Sequence, residues 1–364
     1  MRSTVAIINK SNLNHNLEIL RKMAPAAGVI GIVKANAYGH GMNECARILQ
    51  DSGIEFLAVA YPEEGVELRN AGIQCPIIVL VPAELSSAQL FIDYALQPSI
   101  GDFEICSTLE IIAKKAGKTI QAHLFLDTAM YRDGILPNQA TALMNHASQF
   151  TSLNINGICT HFSTSDDPDE SITQEQIHLF NETIIDLSKN GFNFKYIHAA
   201  NSAAAVRFKQ SQFNLIRPGL ALYGYSPYST IDLKPVLSLK SHVRTIYQVP
   251  EGSFIGYSKK FKTNRDSKIA VVPIGYGDGF FYSQNGRAEC LIRGNKLPIV
   301  GAICMDQCFV DITETETEIN DEVVIIGQQS DQKISAKDIA ERIGTIPYEV
   351  LTNISARVQR LVED

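Results

Sequence analysis

Lys34 stands at the end of an apolar run, in VKANAYGHG at 33–41. An amine withdrawn from water there is disfavoured as a cation, so its pKa falls and it becomes a nucleophile toward carbonyl carbon. The other reading is an ion-paired or snorkelling lysine. His161 closes a second apolar run in CTHFS, as a proton-transfer group or as a hydrogen-bonded strand end. His198, Asn201 and Ser202 lie where another run meets the alanine-rich AANSAAAV. Ser202 there either caps a helix or sets a hydroxyl beside free amides that suit a phosphate. Arg217 in IRPGLALYG is an anion clamp or a surface arginine. Tyr257 in FIGYS and Tyr276 in IGYGDG lie in glycine-containing loops, where a tyrosine serves packing or acid–base chemistry. These residues point to a phosphate-using enzyme with an amine nucleophile. The sequence has no GxxxxGK[ST], HExxH or GxSxG, and its candidate residues are dispersed.

The elements that must position them fall into two rhythms. Residues 5–9 read as a short strand, and Leu13, Leu17 and Leu20 then share one helical face. Apolar runs at 28–36, 56–61, 76–81, 119–127, 155–162, 194–201 and 214–224 read as strands, with helices at 43–52, 62–72 and 174–189 between them. Strands apolar on both faces and separated by helices belong to a parallel sheet. Seven or eight such units in about 220 residues favour a closed barrel, with 84–112 the hardest stretch to fit. Beyond about residue 230 come strands at 237–249, 268–274, 288–293, 296–305, 308–312 and 322–326, joined by tight turns. Arg293-Gly294-Asn295-Lys296 reads as a hairpin turn, and Ser335 with Asp338 as a capping-box start to a helix over 336–343. The expected fold is α/β: a (β/α)8 TIM barrel over 1–230 and a mainly β domain over 231–364.

Composition narrows the function classes. A formal charge of -7 gives no basic surface for nucleic acid. No apolar run approaches the roughly 20 residues that cross a bilayer. The opening MRSTVAIINK has no apolar core followed by a cleavage site, so a cytoplasmic protein is expected. Seven cysteines without a regular framework fit a reducing compartment; Cys304 and Cys308 are the only close pair, and no metal site is expected.

VKANAYGHG resembles the cofactor-lysine signature of the alanine racemase family. DTAMYR (127–132), THFST (160–164), HAANSAA (198–204), RPGLALYG (217–224), GYGDG (275–279), GAICMDQ (301–307) and IPYEVLTNISARV (346–358) follow in that family's order. The resemblance implies a pyridoxal 5'-phosphate enzyme, a head-to-tail homodimer of barrel plus β domain with active sites at the subunit interface. It implies interconversion of L- and D-alanine, supplying D-alanine for peptidoglycan. Lys34 would bind the cofactor covalently and exchange the α-proton on one face. Tyr257 of the other subunit would be the acid–base group on the opposite face. Arg217 would meet the pyridine nitrogen, Tyr38, Ser202, Gly219 and Leu220 would bind the phosphate, and Asn201 would also contact the cofactor. His161 would lie against the ring and orient Tyr257, and His198 would hold Arg217. Arg132 would approach the cofactor phenolate and substrate carboxylate. Met305 and Asp306 would come from the other subunit, Met305 offering a backbone amide.

Some positions depart from the family pattern. Phe125 stands where many members carry a carbamylated lysine that steadies the arginine, so Arg132 is left to another anion, a bound ion or water. Ala356 stands where some members have a tyrosine that reaches the phosphate, and Ala129 and Ala302 replace a frequent glycine and arginine. A racemase of broader range, or one acting on serine, is the alternative enzyme. A non-catalytic pyridoxal-phosphate-binding protein is the other, though such a carrier needs no tyrosine opposite its lysine.

Overall fold

The computed structural model describes residues 3–226, 228 and 231–364. Two compact units are present: Leu13–Ala37 with Cys45–Lys234, and Met1–Asn12 with Tyr38–Glu44 and Pro235–Asp364. The expected boundary between 230 and 231 has residue 230 on one side, outside the described residues.

The first strand, β1 (Val5–Asn9), belongs to the second unit. The first unit closes eight parallel strands into a barrel: β2 (Gly28–Ile32), β3 (Phe56–Val59), β4 (Ile77–Pro82), β5 (Gln97–Ile100), β6 (Ile120–Phe125), β7 (Leu153–Cys159), β8 (Tyr196–His198) and β9 (Leu215–Ile216). Gly28 opposite Leu215 and Val29 opposite Ile216 complete the ring. Most strands are buried on both faces, which is why they read as unbroken apolar runs. The exception is β5, in the stretch that was hardest to fit. Its sequence QPSI carries a proline and two polar residues whose side chains bond within the barrel, Ser99 Oγ to the Val79 carbonyl at 2.7 Å and Gln97 Oε1 to His123 at 2.9 Å. Outer helices such as Lys10–Met23, which buries Leu13, Leu17 and Leu20, cover the ring.

Three expected strands are shorter than their apolar runs, because the chain leaves the sheet to build loops at its C-terminal rim. β8 and β9 stop early, the latter before tight turns over 219–225. β2 stops at Ile32, so Lys34 is not in a strand. Ala35, Asn36, Ala37 and Tyr38 instead have φ of 51°, 54°, 53° and 52°, a left-handed turn without a glycine. Each such residue costs about 1–2 kcal/mol. The turn is held by the Ala37 amide on the Val33 carbonyl (2.8 Å) and the Ala35 amide on the Glu64 carboxylate (2.7 Å).

The second unit is built on β10 (Leu237–His242), β11 (Thr245–Val249), β12 (Phe254–Ile255), β13 (Phe261–Lys262), β14 (Ser267–Val272), β15 (Glu289–Ile292), β16 (Asn295–Val300), β17 (Cys308–Asp311), β18 (Glu322–Gln329), β19 (Gln332–Ile334) and β20 (Gln359–Glu363). Its main sheet runs β11-β14-β17-β16-β15-β18-β10-β1-β20, with β19 paired to β18 and a separate β12-β13 ribbon. β1, read with the barrel strands from local pattern, pairs here with β10 antiparallel and β20 parallel; a five-residue apolar strand does not reveal which sheet completes it. The run 237–249 divides into β10 and β11. Ile292 pairs with Asn295, leaving Arg293 (φ 48°) and Gly294 (φ 77°) as a two-residue hairpin turn. The Ser335–Asp338 capping box opens helix Ala336–Ile343. Among the described residues no helix is long and apolar enough to cross a membrane, and no group of three or more His, Cys, Asp or Glu could hold a metal ion.

Ala35 is exposed, so its φ can be tested without disturbing a packed side chain. Ala35→Val is expected to lower unfolding free energy by about 1–2 kcal/mol and Ala35→Gly to leave it unchanged or raised, read from urea midpoints.

Candidate active site

At the C-terminal rim of the barrel His161 and His198 converge on Arg217, which follows β9. It is buried, and every group it donates to is neutral. Nη1 reaches His198 Nδ1 at 3.1 Å; Nη2 reaches His161 Nδ1 at 3.1 Å, the Ala199 carbonyl at 3.1 Å and the Thr160 carbonyl. His198 is at the end of β8, and His161 lies just past β7. Burial, and then the Arg217 charge, hold both imidazoles well below the usual histidine pKa; Arg132 and Lys34 depress His161 further and His123 depresses His198. Both rings are therefore neutral. Because a guanidinium only donates, each Nδ1 accepts and each hydrogen resides on Nε2.

Lys34 is half-buried two residues past β2. Burial lowers its pKa most, with Arg132 and then Arg217 adding to the depression, while Glu64 and Asp133 oppose it. Glu64, on helix Pro62–Asn70, holds the Ala35, Ala60 and Tyr61 amides at 2.7, 2.7 and 3.2 Å and so anchors the turn that presents Lys34. Sequence reading missed Glu64; the trace it leaves is a carboxylate in the first turn after Pro62.

Arg132 is carried by a loop after β6. Asp127 Oδ1 accepts the amides of Ala129, Met130 and Tyr131 at 2.9, 2.9 and 3.0 Å, and Oδ2 that of Arg132 at 3.0 Å. Ala129 has φ 92°, a conformation glycine adopts without strain, which accounts physically for a glycine at such a position. Phe125 is buried and offers Arg132 no charge. The anion is instead Asp133, whose Oδ2 lies 2.6 Å from Arg132 Nε. Gln176, also missed, pins the next loop through the His161 carbonyl (3.3 Å) and the Ser163 amide (3.0 Å).

The N-cap of helix Ser202–Arg207 is Asn201, through the Ala204 amide at 3.0 Å, and not Ser202. Ser202 Oγ accepts the Gly219 and Ala221 amides at 2.9 and 3.2 Å, gathering Ser202, Gly219 and Leu220 in one turn and leaving the hydroxyl hydrogen to donate.

The remaining candidates belong to the second unit. Tyr38 is buried there with its ring 5.8 Å from Tyr348, and burial followed by Tyr348 raises its pKa. Tyr257 is 71% exposed between Gly256 and Ser258, both at positive φ. Met305 is 53% exposed. Arg357 clamps its loop, donating to the Met305 carbonyl (3.2 Å), Asp306 Oδ1 (2.8 Å) and Asp278 Oδ1 (2.7 Å). Gly275 passes so close that a Cβ would lie 2.2 Å from the Cys304 carbonyl oxygen. Tyr276 packs edge-on to Tyr282 at 6.2 Å.

Residues 8–227 match the description "Alanine racemase, N-terminal domain" and residues 236–362 "Alanine racemase, C-terminal domain". The chain belongs to the alanine racemase family. It is 39% identical over 368 residues to Alanine racemase 1 of Clostridium acetobutylicum, covering 99% of this chain and 95% of that one. The solved alanine racemase of Clostridium difficile 630 superposes with a TM-score of 0.95 at 33% identity, over 100% of this chain and 96% of that one. A histidine racemase from Leuconostoc mesenteroides superposes at 0.92 with 25% identity, over 100% and 98% of the two chains. The racemase architecture is thus found with more than one named substrate.

The Asp127 cradle gives a direct test. Asp127→Asn removes the charge and one acceptor oxygen from four converging amides, and is expected to cost about 1–3 kcal/mol in urea unfolding and to speed proteolytic cleavage within 129–132.

Proposed function

We propose that this chain interconverts L-alanine and D-alanine as a pyridoxal-phosphate-dependent racemase with two bases, Lys34 and Tyr257, on opposite faces of the substrate α-carbon. The observation that carries the reading is the half-buried Lys34 amine, made less basic by burial and by Arg132, beside the neutral His161 and the buried Arg217. The donor set fits a phosphorylated pyridine aldehyde. Lys34 suits the aldehyde, Arg217 the ring nitrogen and Arg132 a phenolate or carboxylate. Asn201, Ser202, Gly219 and Leu220 suit the phosphate, with Tyr38 as a further ligand. When bound, pyridoxal phosphate supplies the electron sink that acidifies the substrate α-hydrogen.

The protein groups divide the remaining work. Lys34 takes or returns the α-proton on its own face, its lowered pKa bringing it nearer to working pH. Tyr257 does the same on the other face, its oxygen accepting the Nε2 hydrogen that the Arg217 contact fixes on His161. Arg217, which cannot give up its proton, would donate to the ring nitrogen and would leave it without a proton of its own, which would restrain side reactions. Arg132 and the Met305 backbone amide receive the substrate carboxylate, with Asp306 supporting Met305 through the Arg357 clamp.

Tyr257, Met305 and Asp306 are assigned to the partner in a head-to-tail homodimer. In support, these side chains are exposed in a single chain. The product is D-alanine for peptidoglycan, made in the cytoplasm from a free amino acid, with no nucleic acid or membrane partner.

The deciding assay incubates pyridoxal-phosphate-loaded protein with each L-amino acid and quantifies D product by chiral chromatography. D-alanine is expected to dominate. Faster serine conversion would move the enzyme to a broader class, and no conversion by loaded protein would leave a cofactor-binding protein. Tyr257→Phe is expected to retain the cofactor absorbance but lose about 10²–10⁴-fold in kcat, and Lys34→Ala to lose the absorbance as well.

The Lys34 pKa can be read without turnover. Lowered in the folded protein, it leaves the amine neutral at a lower pH than in free lysine, and protonation blocks its attack below that pH. The half-maximal pH for pyridoxal phosphate capture by the apo protein is therefore expected below that of lysine in solution. Arg132→Gln removes a cation that lowers the pKa and should move the half-maximal pH upward; no movement would dissociate Arg132 from Lys34.

A further inference from the structure

The hydrogen bonds of Arg217 do not stop at His198. His198 Nε2 lies 2.9 Å from His123 Nδ1, and His123 Nε2 lies 2.9 Å from Gln97 Oε1. A guanidinium has no acceptor, so His198 Nδ1 must accept and its hydrogen must sit on Nε2. That hydrogen points at His123 Nδ1, which must accept in turn and carry its own hydrogen on Nε2. The last atom must then be an acceptor, and the Gln97 amide oxygen is one. We infer that Gln97 and His123 are positioning residues for Arg217: they end a one-way donor chain, Arg217 to His198 to His123 to Gln97, that fixes the tautomer of both histidines and the guanidinium's orientation.

The barrel is shaped around this chain. His123 is on β6 and His198 on β8, with β7 between them. Gly157 on β7 is paired with His123, and a Cβ there would lie 2.0 Å from His123 Nδ1, the atom that meets His198. A side chain at 157 would occupy the place of the histidine–histidine bond. Phe56 packs edge-on to the His123 ring at 6.4 Å and Tyr196 stacks on it at 6.0 Å, so the ring has little freedom to turn. Both histidines are fully buried. Burial, with Arg217 as a second cause, lowers the His123 pKa to about 3, so neither ring becomes a double donor that would break the chain near neutral pH.

Loss of the terminal acceptor has a definite consequence. With leucine at 97 the His123 Nε2 hydrogen has no acceptor, while the donor-only Arg217 still holds both tautomers. The His123 ring then shifts to seek another partner, its Nδ1 leaves the His198 Nε2 hydrogen, and the guanidinium loses the support that fixes its orientation toward the proposed ring nitrogen. Only this kinetic consequence rests on the racemase reading; the tautomers do not.

The test is long-range ¹H–¹⁵N spectroscopy of histidine-labelled protein without cofactor, with kinetics of the loaded enzyme in parallel. In the unsubstituted protein both His123 and His198 are expected as Nε2–H; His198 found as Nδ1–H would overturn the inference whatever the variants do. Gln97→Leu is expected to keep both rings as Nε2–H, to move the His123 Nε2–H proton resonance upfield as its acceptor is lost, and to lower kcat about tenfold with little change in KM, the loss of roughly one hydrogen bond's worth of positioning. Gln97→Glu keeps an acceptor oxygen and is expected to leave the His123 Nε2–H resonance downfield. A folded Gln97→Leu protein with an unchanged His123 Nε2–H resonance and kcat would remove Gln97 from the role. An inactive unsubstituted protein with the expected tautomers would instead count against the racemase reading alone.

Discussion

A buried guanidinium without a carboxylate partner is the constraint on which the rim of this barrel depends. Taking Arg217 out of water is costly unless each hydrogen is received. A carboxylate would balance the charge, but would also place a second anion where an electron-rich ligand ring is proposed. The protein uses carbonyl oxygens of Thr160 and Ala199 and two imidazole nitrogens instead. That choice has consequences for the neighbours. Both imidazoles must stay neutral, which burial and the arginine's own charge secure. Their free edges then become donors, one continuing inward through His123 and the other available at His161. A single obligate donor thereby dictates hydrogen positions along two directions from one site.

The same rim stores backbone strain. Ala35 to Tyr38 are left-handed, as are Ala129 and Tyr131 in the Arg132 loop. Such conformations persist where surrounding contacts over-determine them. Here the contacts are carboxylates receiving backbone amides: Glu64 for the Lys34 turn and Asp127 for the Arg132 loop. In each case an acid with no proposed part in proton transfer fixes the backbone beside the base or cation. Lys34 thus stands between the end of β2 at Ile32 and a left-handed turn that begins at the next residue.

Much of this architecture was legible in the sequence, and the failures have a common cause. Strands such as β3 and β4 are buried on both faces and announce themselves as apolar runs, and Lys34, His161 and Arg217 stand out as polar groups at the ends of such runs. β5 was obscured because Gln97 and Ser99 make polar bonds inside the barrel, where the pattern looks for apolar residues. β1 was assigned to the wrong sheet because strand pairing is settled by chain hundreds of residues away. The left-handed turn lacks glycine, its ordinary marker. Glu64, Gln176 and His123 act through contacts between elements, and each lies in a segment whose local pattern is already explained as helix or strand. Motif reading therefore finds groups that face a ligand more readily than the groups that hold them.

Charge balance around Lys34 ties these strands of argument together. Arg132 and Arg217 favour its neutral form, while Glu64 and Asp133 favour the ammonium. Both carboxylates are already engaged, Glu64 by three amides and Asp133 by Arg132, so part of their negative charge is compensated before it reaches the lysine. Burial, with the two arginines behind it, leaves the amine less basic than in water. A ligand bringing a phosphate, a phenolate or a carboxylate would raise the lysine's affinity for a proton as it arrives. An amine that must be neutral to capture its ligand, and protonated or neutral in turn to move a hydrogen, is served by this arrangement: burial and the arginines favour the first state, and an arriving anion brings the second within reach.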